Sequence, residues 1–305
     1  MSAEILDPSP VAAHYREQVR DDVTRLTAEN GRRPRILGVL GQDEGPAATY
    51  ARYARKGCEA VGIELDVRPT PADRVEAAIA EANIDPEVDG VFLYYPLMDR
   101  ATDRWLRELV DPRKDVEGLH SFWSRLLYEN HRFVDDEGTT RAILPCTPLA
   151  ILKLLQHAGM RGTDEAAPLA GVTACIINRS DLVGRPLAAM LANDGAVVHS
   201  IDIDGAVTFE PAIGRRAHDI RESGPDREEA LAGADVVISA VPSRNFELIR
   251  GDEIRPGAIC VDVAEYTNFD ESVKDIASVF VPRVGPLTIA MAMRNLTRLA
   301  AMRTH

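Results

Sequence analysis

Nine residues, Asn178-Arg179-Ser180-Asp181-Leu182-Val183-Gly184-Arg185-Pro186, separate an apolar run from a segment with helical character. A strand that turns tightly into a helix presents unpaired N–H groups at the helix start, where a dinucleotide pyrophosphate is held. The three-glycine fingerprint of such turns is incomplete: Asn178 and Ser180 fill the first two glycine slots and only Gly184 keeps the third. On spacing alone the turn serves a plain strand-to-helix connection nearly as well. Asp202, 18 residues beyond Gly184, ends the next strand candidate. A carboxylate there accepts hydrogen bonds from the adenosine ribose hydroxyls and repels a ribose phosphate, which points to NAD over NADP. Asp204 is the rival if that strand ends later, and either acid also suits a solvated turn. His120, His199 and the other histidines show no metal-ligand spacing, so no metal is assigned. No nucleophile elbow supports Ser/His/Asp catalysis.

Composition narrows the classes of function. The chain has 305 residues, 45% apolar and 27% charged, which suits about two globular domains with ample core. Its 35 basic and 48 acidic residues give a net charge of −13. That balance repels a phosphate backbone, so no nucleic-acid partner is expected, although a local Arg/Lys pocket still accommodates a small anion. No apolar run reaches the ~20 residues of a membrane span. The polar start, Met1 to Val11, lacks a signal pattern. The four cysteines, Cys58, Cys146, Cys175 and Cys260, are scattered without a C-x-x-C, as in a reduced cytoplasmic protein. Cys175 and Cys260 lie in apolar runs and read as small buried hydrophobes.

The elements that must position these residues alternate in type. Helical spacing from about Pro10 to Asn30 leads to a strand at 34–41, a helix at 47–61 stopped by Gly62, a strand at 63–67, a helix at 71–82 and a strand at 89–96 ended by Pro96. The pattern breaks between Asp111 and Pro148, the kind of long connection that usually carries function or links domains. It resumes with a helix at 148–158, a strand at 170–177, the turn, a helix at 187–193 and a strand at 196–201. Buried strands follow at 235–240 and 258–263, and a closing helix at 289–302. The polar stretch 206–229 reads as a surface insertion. Such alternation predicts parallel α/β sheets.

Several motifs then become specific in combination. Tyr50 lies on a helix candidate with Lys56 and Cys58-Glu59 following. Gly90-Val91-Phe92-Leu93-Tyr94-Tyr95-Pro96-Leu97, Asp111-Pro112-Arg113-Lys114-Asp115-Val116-Glu117-Gly118-Leu119-His120, Pro145-Cys146-Thr147-Pro148, Asn178 to Pro186 and Val284-Gly285-Pro286-Leu287-Thr288 come after it. In this order and spacing the chain closely resembles the methylenetetrahydrofolate dehydrogenase/cyclohydrolase family over nearly its whole length. The resemblance implies two α/β domains, the second a Rossmann-like doubly wound parallel sheet, with a ligand cleft between them. The expected boundaries are 1–148 plus a returning helix 287–305 for the folate-binding catalytic domain, and 149–286 for the NAD-binding domain. It also implies a homodimer and a tetrahydrofolate-type substrate.

The departures are informative. Bifunctional members carry a catalytic lysine four residues after the tyrosine, where this chain has Ala54. They carry a glutamine where it has Tyr94, and an aspartate where it has Glu117. Their Pro-Gly-Gly-Val-Gly-Pro loop is shortened here to Pro282-Arg283-Val284-Gly285-Pro286. These changes resemble the monofunctional NAD-dependent branch. Lys56 lies about 200° around the helix from Ala54, so it should face away. Hydride transfer without cyclohydrolase activity is the expected chemistry. A bifunctional enzyme with another group in the lysine's place, a non-catalytic NAD- or folate-binding regulator, and an enzyme for another pterin carrier are the competing readings.

By the same resemblance Tyr50 lines the folate pocket and Glu117 accepts hydrogen bonds from the pterin ring. Each also has a bland reading, as a buried helix aromatic and a loop acid. Tyr94, Asp115, Val284, Gly285 and Pro286 are expected along the substrate, Asp115 more as a structural partner of Lys114 or of backbone amides. Arg283 reaches either the folate glutamate tail or solvent. On the cofactor side, Arg179 and Ser180 are expected at the pyrophosphate, with Asn178, Val183 and Gly184 shaping the turn and Arg185 as a second cation or a surface residue. Ala240-Val241-Pro242 should pass beneath the cofactor, and Thr147 and Thr288 should donate to the nicotinamide region.

Overall fold

Residues 2–160, 162, 164–212 and 218–303 are described by the structure, a computed structural model. The chain divides into two α/β units. One comprises Ala12–Arg125, Phe133–Cys146 and Thr288–His305, the other Met1–Val11, Leu126–Arg132 and Thr147–Leu287. In chain order the elements are β1 (Glu4–Ile5), α1 (Pro8–Asn30), β2 (Arg35–Leu40), α2 (Pro46–Glu59), β3 (Glu64–Pro69), α3 (Val75–Ile84), β4 (Gly90–Tyr94), α4 (Arg100–Leu109), α5 (Ser121–Tyr128) and α6 (Cys146–His157). There follow β5 (Thr173–Ile177), α7 (Gly184–Asn193), β6 (Val197–Asp202), β7 (Gly205–Pro211), β8 (His218–Arg221), α8 (Arg227–Gly233), β9 (Val236–Ser239), β10 (Ile259–Asp262), α9 (Val273–Ile276), β11 (Val279–Val281) and α10 (Gly285–Arg303).

The first unit holds a three-stranded parallel sheet in the order β3-β2-β4. Strand alternation sorts its side chains. Leu37, Val39, Val91 and Leu93 pack with Val75 and Ile79 of α3 and Leu106 of α4. Phe92 and Tyr94 point to the opposite face, where α2 buries Ala48, Ala51, Ala54 and Cys58. Gly38 sits beneath Tyr94 because a Cβ there would stand 2.9 Å from the tyrosine ring.

The second unit is built on an eight-stranded sheet in the order β1-β11-β10-β9-β5-β6-β7-β8. Strands β1 through β6 in that order are mutually parallel. The chain runs outward from β5 to β6 on one side and returns to β9 on the other. The order therefore reverses between β5 and β9, the place where open α/β sheets bind ligands at their carboxyl ends.

The structure departs from the sequence expectations in several places. The stretch read as a surface insertion contributes two strands: β7 and β8 add an antiparallel hairpin beyond β6 and bury Phe209 and Thr208 completely. β1 is two residues long and its pairing partner, β11, lies some 275 residues away, so neither carried a local signal. The irregular stretch contains α5, whose Trp123 is buried and donates its ring N–H to the Pro112 carbonyl at 2.8 Å. α7 begins at Gly184 and α10 at Gly285, earlier than their periodicity suggested. Cys175 and Cys260 are fully buried, and burial pushes both thiols up to about 12. Among the described residues no helix is long and apolar enough to cross a membrane.

Two stability predictions follow from close packing at the strand ends of the second unit. A Cβ on Gly184 would lie 1.8 Å from the Asn178 carbonyl oxygen, which belongs to backbone and cannot rotate away. Gly184→Ala should therefore lower the urea-unfolding free energy by about 2–3 kcal/mol; a loss under ~0.5 kcal/mol would show that the contact is relieved. Asp262, 3% exposed at the end of β10, is the second case. Burial raises its pKa to about 6, against smaller lowering contributions from the Asn268 and Ala264 N–H groups. The unfolded carboxyl titrates near ~3.9. Folding thus favours the protonated form, and that contribution, on the order of 2–3 kcal/mol, is lost as pH rises through about 6. Asp262→Asn should match or exceed the parent in thermal stability at pH ~7.5 and lose that advantage near pH ~4.5.

Candidate active site

A cavity of about 250 Å³ opens in the first unit between the start of α2 and the carboxyl end of β4. Its walls are aromatic. The rings of Phe92 and Tyr94 stack 4.7 Å apart at 16°, and the Tyr50 ring stands 6.1 Å from each. Tyr95 and Glu117 complete the lining that can make polar contacts. Burial pushes the phenols of Tyr50, Tyr94 and Tyr95 above the usual tyrosine range, with nearby Glu117 acting in the same direction. The Tyr94 hydroxyl has no hydrogen-bond partner among the described residues.

Glu117 is aimed by the turn that precedes it. Asp115, 5% exposed, accepts four backbone N–H groups: Glu117 at 3.1 Å and Gly118 at 3.0 Å on one oxygen, Leu119 at 2.7 Å and His120 at 2.8 Å on the other. The carboxylate is therefore occupied by backbone. Lys114 does not pair with it; the buried ammonium donates to the carbonyls of Ala82 and Asp85 at 2.8 and 2.7 Å. Gly118 takes a φ of +69°, and a Cβ there would meet the Leu144 carbonyl at 2.7 Å. Asn295 of α10 fastens the same turn by donating to the carbonyls of Val116 and Leu144 at 3.0 and 2.9 Å. So held, Glu117 accepts the Leu93 N–H at 3.1 Å. Burial raises its pKa well above the usual carboxylate range; Asp115 adds to the shift, while the Leu93 N–H and the Arg107 charge oppose it.

Among the described residues that line the cavity there is no amine. Ala54 is buried on the inner face of α2, and Lys56 is exposed on its outer face, as the helical angle required. Arg55, also exposed, acts on Tyr94 only through its charge.

In the second unit the turn after β5 lies at the reversal of strand order. Asn178 adopts φ +89°, a conformation that costs most side chains dearly and that asparagine tolerates through local hydrogen bonds. Its side-chain amide donates to the Ala240 carbonyl at the end of β9 at 2.7 Å, and its oxygen accepts the Ser180 N–H at 2.9 Å. The residue in the first glycine slot thus ties the two strands flanking the reversal. Ser180 Oγ accepts the Val183 N–H at 3.3 Å, and α7 then starts at Gly184 with no acidic residue in its first turn. The Arg185 N–H is taken by the Ser180 carbonyl at 3.0 Å and Pro186 has no N–H, so among the described residues the Gly184 N–H is the backbone donor that the first turn keeps for a phosphate. Arg185 is exposed on it. Asp202 accepts the N–H groups of Arg179 at 2.6 Å and Ile203 at 2.7 Å, one on each oxygen, leaving further lone pairs for ribose hydroxyls. The Arg179 guanidinium turns away from the helix start: it donates to the carbonyls of Ser200 and Gly205 at 3.0 and 3.2 Å and pairs with Asp204.

The remaining residues fall as follows. Ala240 and Val241 are half-buried after β9 and Pro242 is exposed. Thr147 is half-buried at the second position of α6. Val284 and Thr288 are buried, and Gly285 and Pro286 half-buried, at the start of α10. Arg283 lies in solvent, as one of its two expected placements had it, and there pairs with Asp7 at 3.2 Å. Sequence reasoning passed over Asn268, which joins Ser239 Oγ, the Val241 N–H and the Val241 carbonyl beneath the strand ends, and over Asn295. Both are fully buried asparagines; the side-chain oxygen and nitrogen of Asn268 are both bonded, whereas Asn295 is held through its nitrogen and its oxygen has no partner among the described residues. Among the described residues no group of three His, Cys, Asp or Glu side chains is disposed to hold a metal.

Comparison with known proteins agrees with this geometry. Residues 6–117 match the tetrahydrofolate dehydrogenase/cyclohydrolase catalytic domain, and residues 145–212 match the NAD(P)-binding domain of the same family. The chain is 39% identical to a methylenetetrahydrofolate dehydrogenase [NAD(+)] of Schizosaccharomyces pombe, over 98% of this chain and 94% of that one. It is 39% identical to the protein of the same name from Dictyostelium discoideum, over 96% and 93%. Among solved structures, the NAD-dependent 5,10-methylenetetrahydrofolate dehydrogenase from Saccharomyces cerevisiae superposes with a TM-score of 0.94 at 35% identity, covering 100% of this chain and 99% of that one. With both domains matched and the likeness sustained from end to end, the chain belongs to the tetrahydrofolate dehydrogenase/cyclohydrolase family.

Proposed function

We propose that the chain oxidises 5,10-methylenetetrahydrofolate to 5,10-methenyltetrahydrofolate with NAD as hydride acceptor, and that it has lost the cyclohydrolase step. The observation that carries the reading is a cavity whose titratable groups are one buried carboxyl, Glu117, and tyrosines, with no amine. The relatives named above as NAD-dependent dehydrogenases support the first half of the proposal.

Hydride removal leaves a cation spread over the two nitrogens that flank the one-carbon bridge. No proton leaves carbon, so the step needs alignment and charge stabilisation rather than a general base. Tyr50, Phe92 and Tyr94 offer flat walls for a pterin ring. Glu117 matches the ring's adjacent N–H donors in bidentate fashion, and its negative charge favours the cationic product. NAD, held by the turn 178–186 and by Asp202, supplies the hydride acceptor. What supports the fit is the Ser180 hydroxyl and the Gly184 N–H as donors and Asp202 as acceptor.

Hydrolysis of the methenyl group makes a different demand. Water must attack carbon and protons must move. Ala54 has no ionisable group, Lys56 faces outward, and the three phenols are held protonated well past neutrality. One observation favours a second reading: the upward-shifted Glu117 is itself a proton carrier, and in a bifunctional enzyme it would take the lysine's place. The four buried thiols support a reducing compartment, the cytoplasm, and the homodimer is carried over from the family resemblance.

Two measurements test the proposal. With substrate and NAD, reduced cofactor and methenyl product should rise in equal amounts, and the methenyl species should decay no faster than in buffer. Enzymatic formation of the formyl product would establish the second reading instead, the more so if Glu117→Gln abolished it. For the dehydrogenase, Glu117→Gln should lower kcat/KM by ~10²-fold. The raised pKa adds a pH signature. Only ionised Glu117 accepts from the ring, so substrate affinity of the parent should increase as pH rises through the carboxyl's titration. The glutamine variant should show no such rise.

A further inference from the structure

Arg179 stands beside Asp202, where an arginine in a dinucleotide-binding turn ordinarily accommodates the 2′-phosphate of NADP. Its presence in a site read as NAD-specific calls for a physical reason. The guanidinium is only 12% exposed and both its terminal nitrogens are engaged: one serves the carbonyls of Ser200 and Gly205, and the other is paired with Asp204. The Asp204 carboxylate is 73% exposed and lies in the two-residue turn between β6 and β7, so it is free to be substituted without disturbing a core. The backbone N–H of Arg179 is held separately by Asp202.

We infer that Asp204 is a specificity-determining residue: it latches Arg179 against the β6–β7 turn and neutralises it, so that the cation cannot serve a ribose 2′-phosphate. NAD selectivity then has two parts. Asp202 repels the phosphate directly, and Asp204 withholds a cation beside it that would compensate. This rests on the NAD reading given above and extends it to a residue in the next turn. An arginine released from Asp204 keeps its backbone anchor, and a free guanidinium binds phosphate through charge-assisted, often bidentate, hydrogen bonds.

The test uses the full chain and binding alone, so that it does not depend on folate chemistry. NAD and NADP are titrated calorimetrically into the parent and into Asp204→Asn, Asp204→Ala, Asp204→Ala/Arg179→Ala and Asp202→Ala. The latch predicts that both Asp204 variants raise NADP affinity relative to NAD by roughly ten- to hundred-fold. The gain should shrink as ionic strength increases and should vanish in the double variant. An affinity ratio in the Asp204 variants within about two-fold of the parent would overturn the inference, as would a gain that survives loss of Arg179. If Asp202→Ala alone shifts the ratio, the ribose reading of Asp202 stands and the latch falls. If the parent binds NADP as tightly as NAD, the NAD reading itself fails and takes the latch with it.

Discussion

An ionised carboxylate removed from water is among the most expensive groups a protein can bury unless each lone pair finds a donor. Asp115 meets that condition with four consecutive backbone amides, from Glu117 to His120. The constraint is local, yet the folate half of the molecule is arranged around it. It closes the turn tightly enough that Gly118 must pass against the Leu144 carbonyl, and it leaves Glu117 pointing to the cavity with one backbone hydrogen bond to β4. The same economy explains why two acids in one motif behave differently. Asp115 is satisfied by the chain and is structural. Burial raises both pKa values, but Glu117 has one backbone donor where Asp115 has four, and is thereby ready to take others from a ligand.

The cofactor half relies on a different device. Where a dinucleotide turn would use glycine, this chain uses Asn178, whose side chain makes the unusual backbone conformation worthwhile by bridging to Ala240 across the reversal of strand order. Asn268 continues the polar seam under the same strand ends. The site is thus rigid where the phosphates and ribose are expected, and its charge pattern is fixed by short-range pairing rather than by the protein's net charge.

Much of this was legible in the sequence, and the limits have physical causes. Parallel strands buried on both faces announce themselves as apolar runs, so β2, β4, β5, β9 and β10 were found. The hairpin β7–β8 was not, because an edge ribbon with charged outward positions looks like a polar loop. Tyr50, Glu117 and Asp115 were singled out by the family resemblance, and Asp202 by its spacing from the turn. The disposition of Arg179 was not, because a side chain's direction is set by partners distant in the chain, here Asp204. Lys114 misled in the same way: adjacency to Asp115 suggested a pair, whereas its ammonium caps the carbonyls at the end of α3.

Asn295 has one more implication. The turn that carries Glu117 is fastened by an amide from the last helix, with partners at Val116 and Leu144 made long before it in the chain. A ribosome therefore emits every residue lining the cavity before it emits the clasp that sets the turn. The first unit can gather its sheet during synthesis, but the turn is clasped only once α10 has followed.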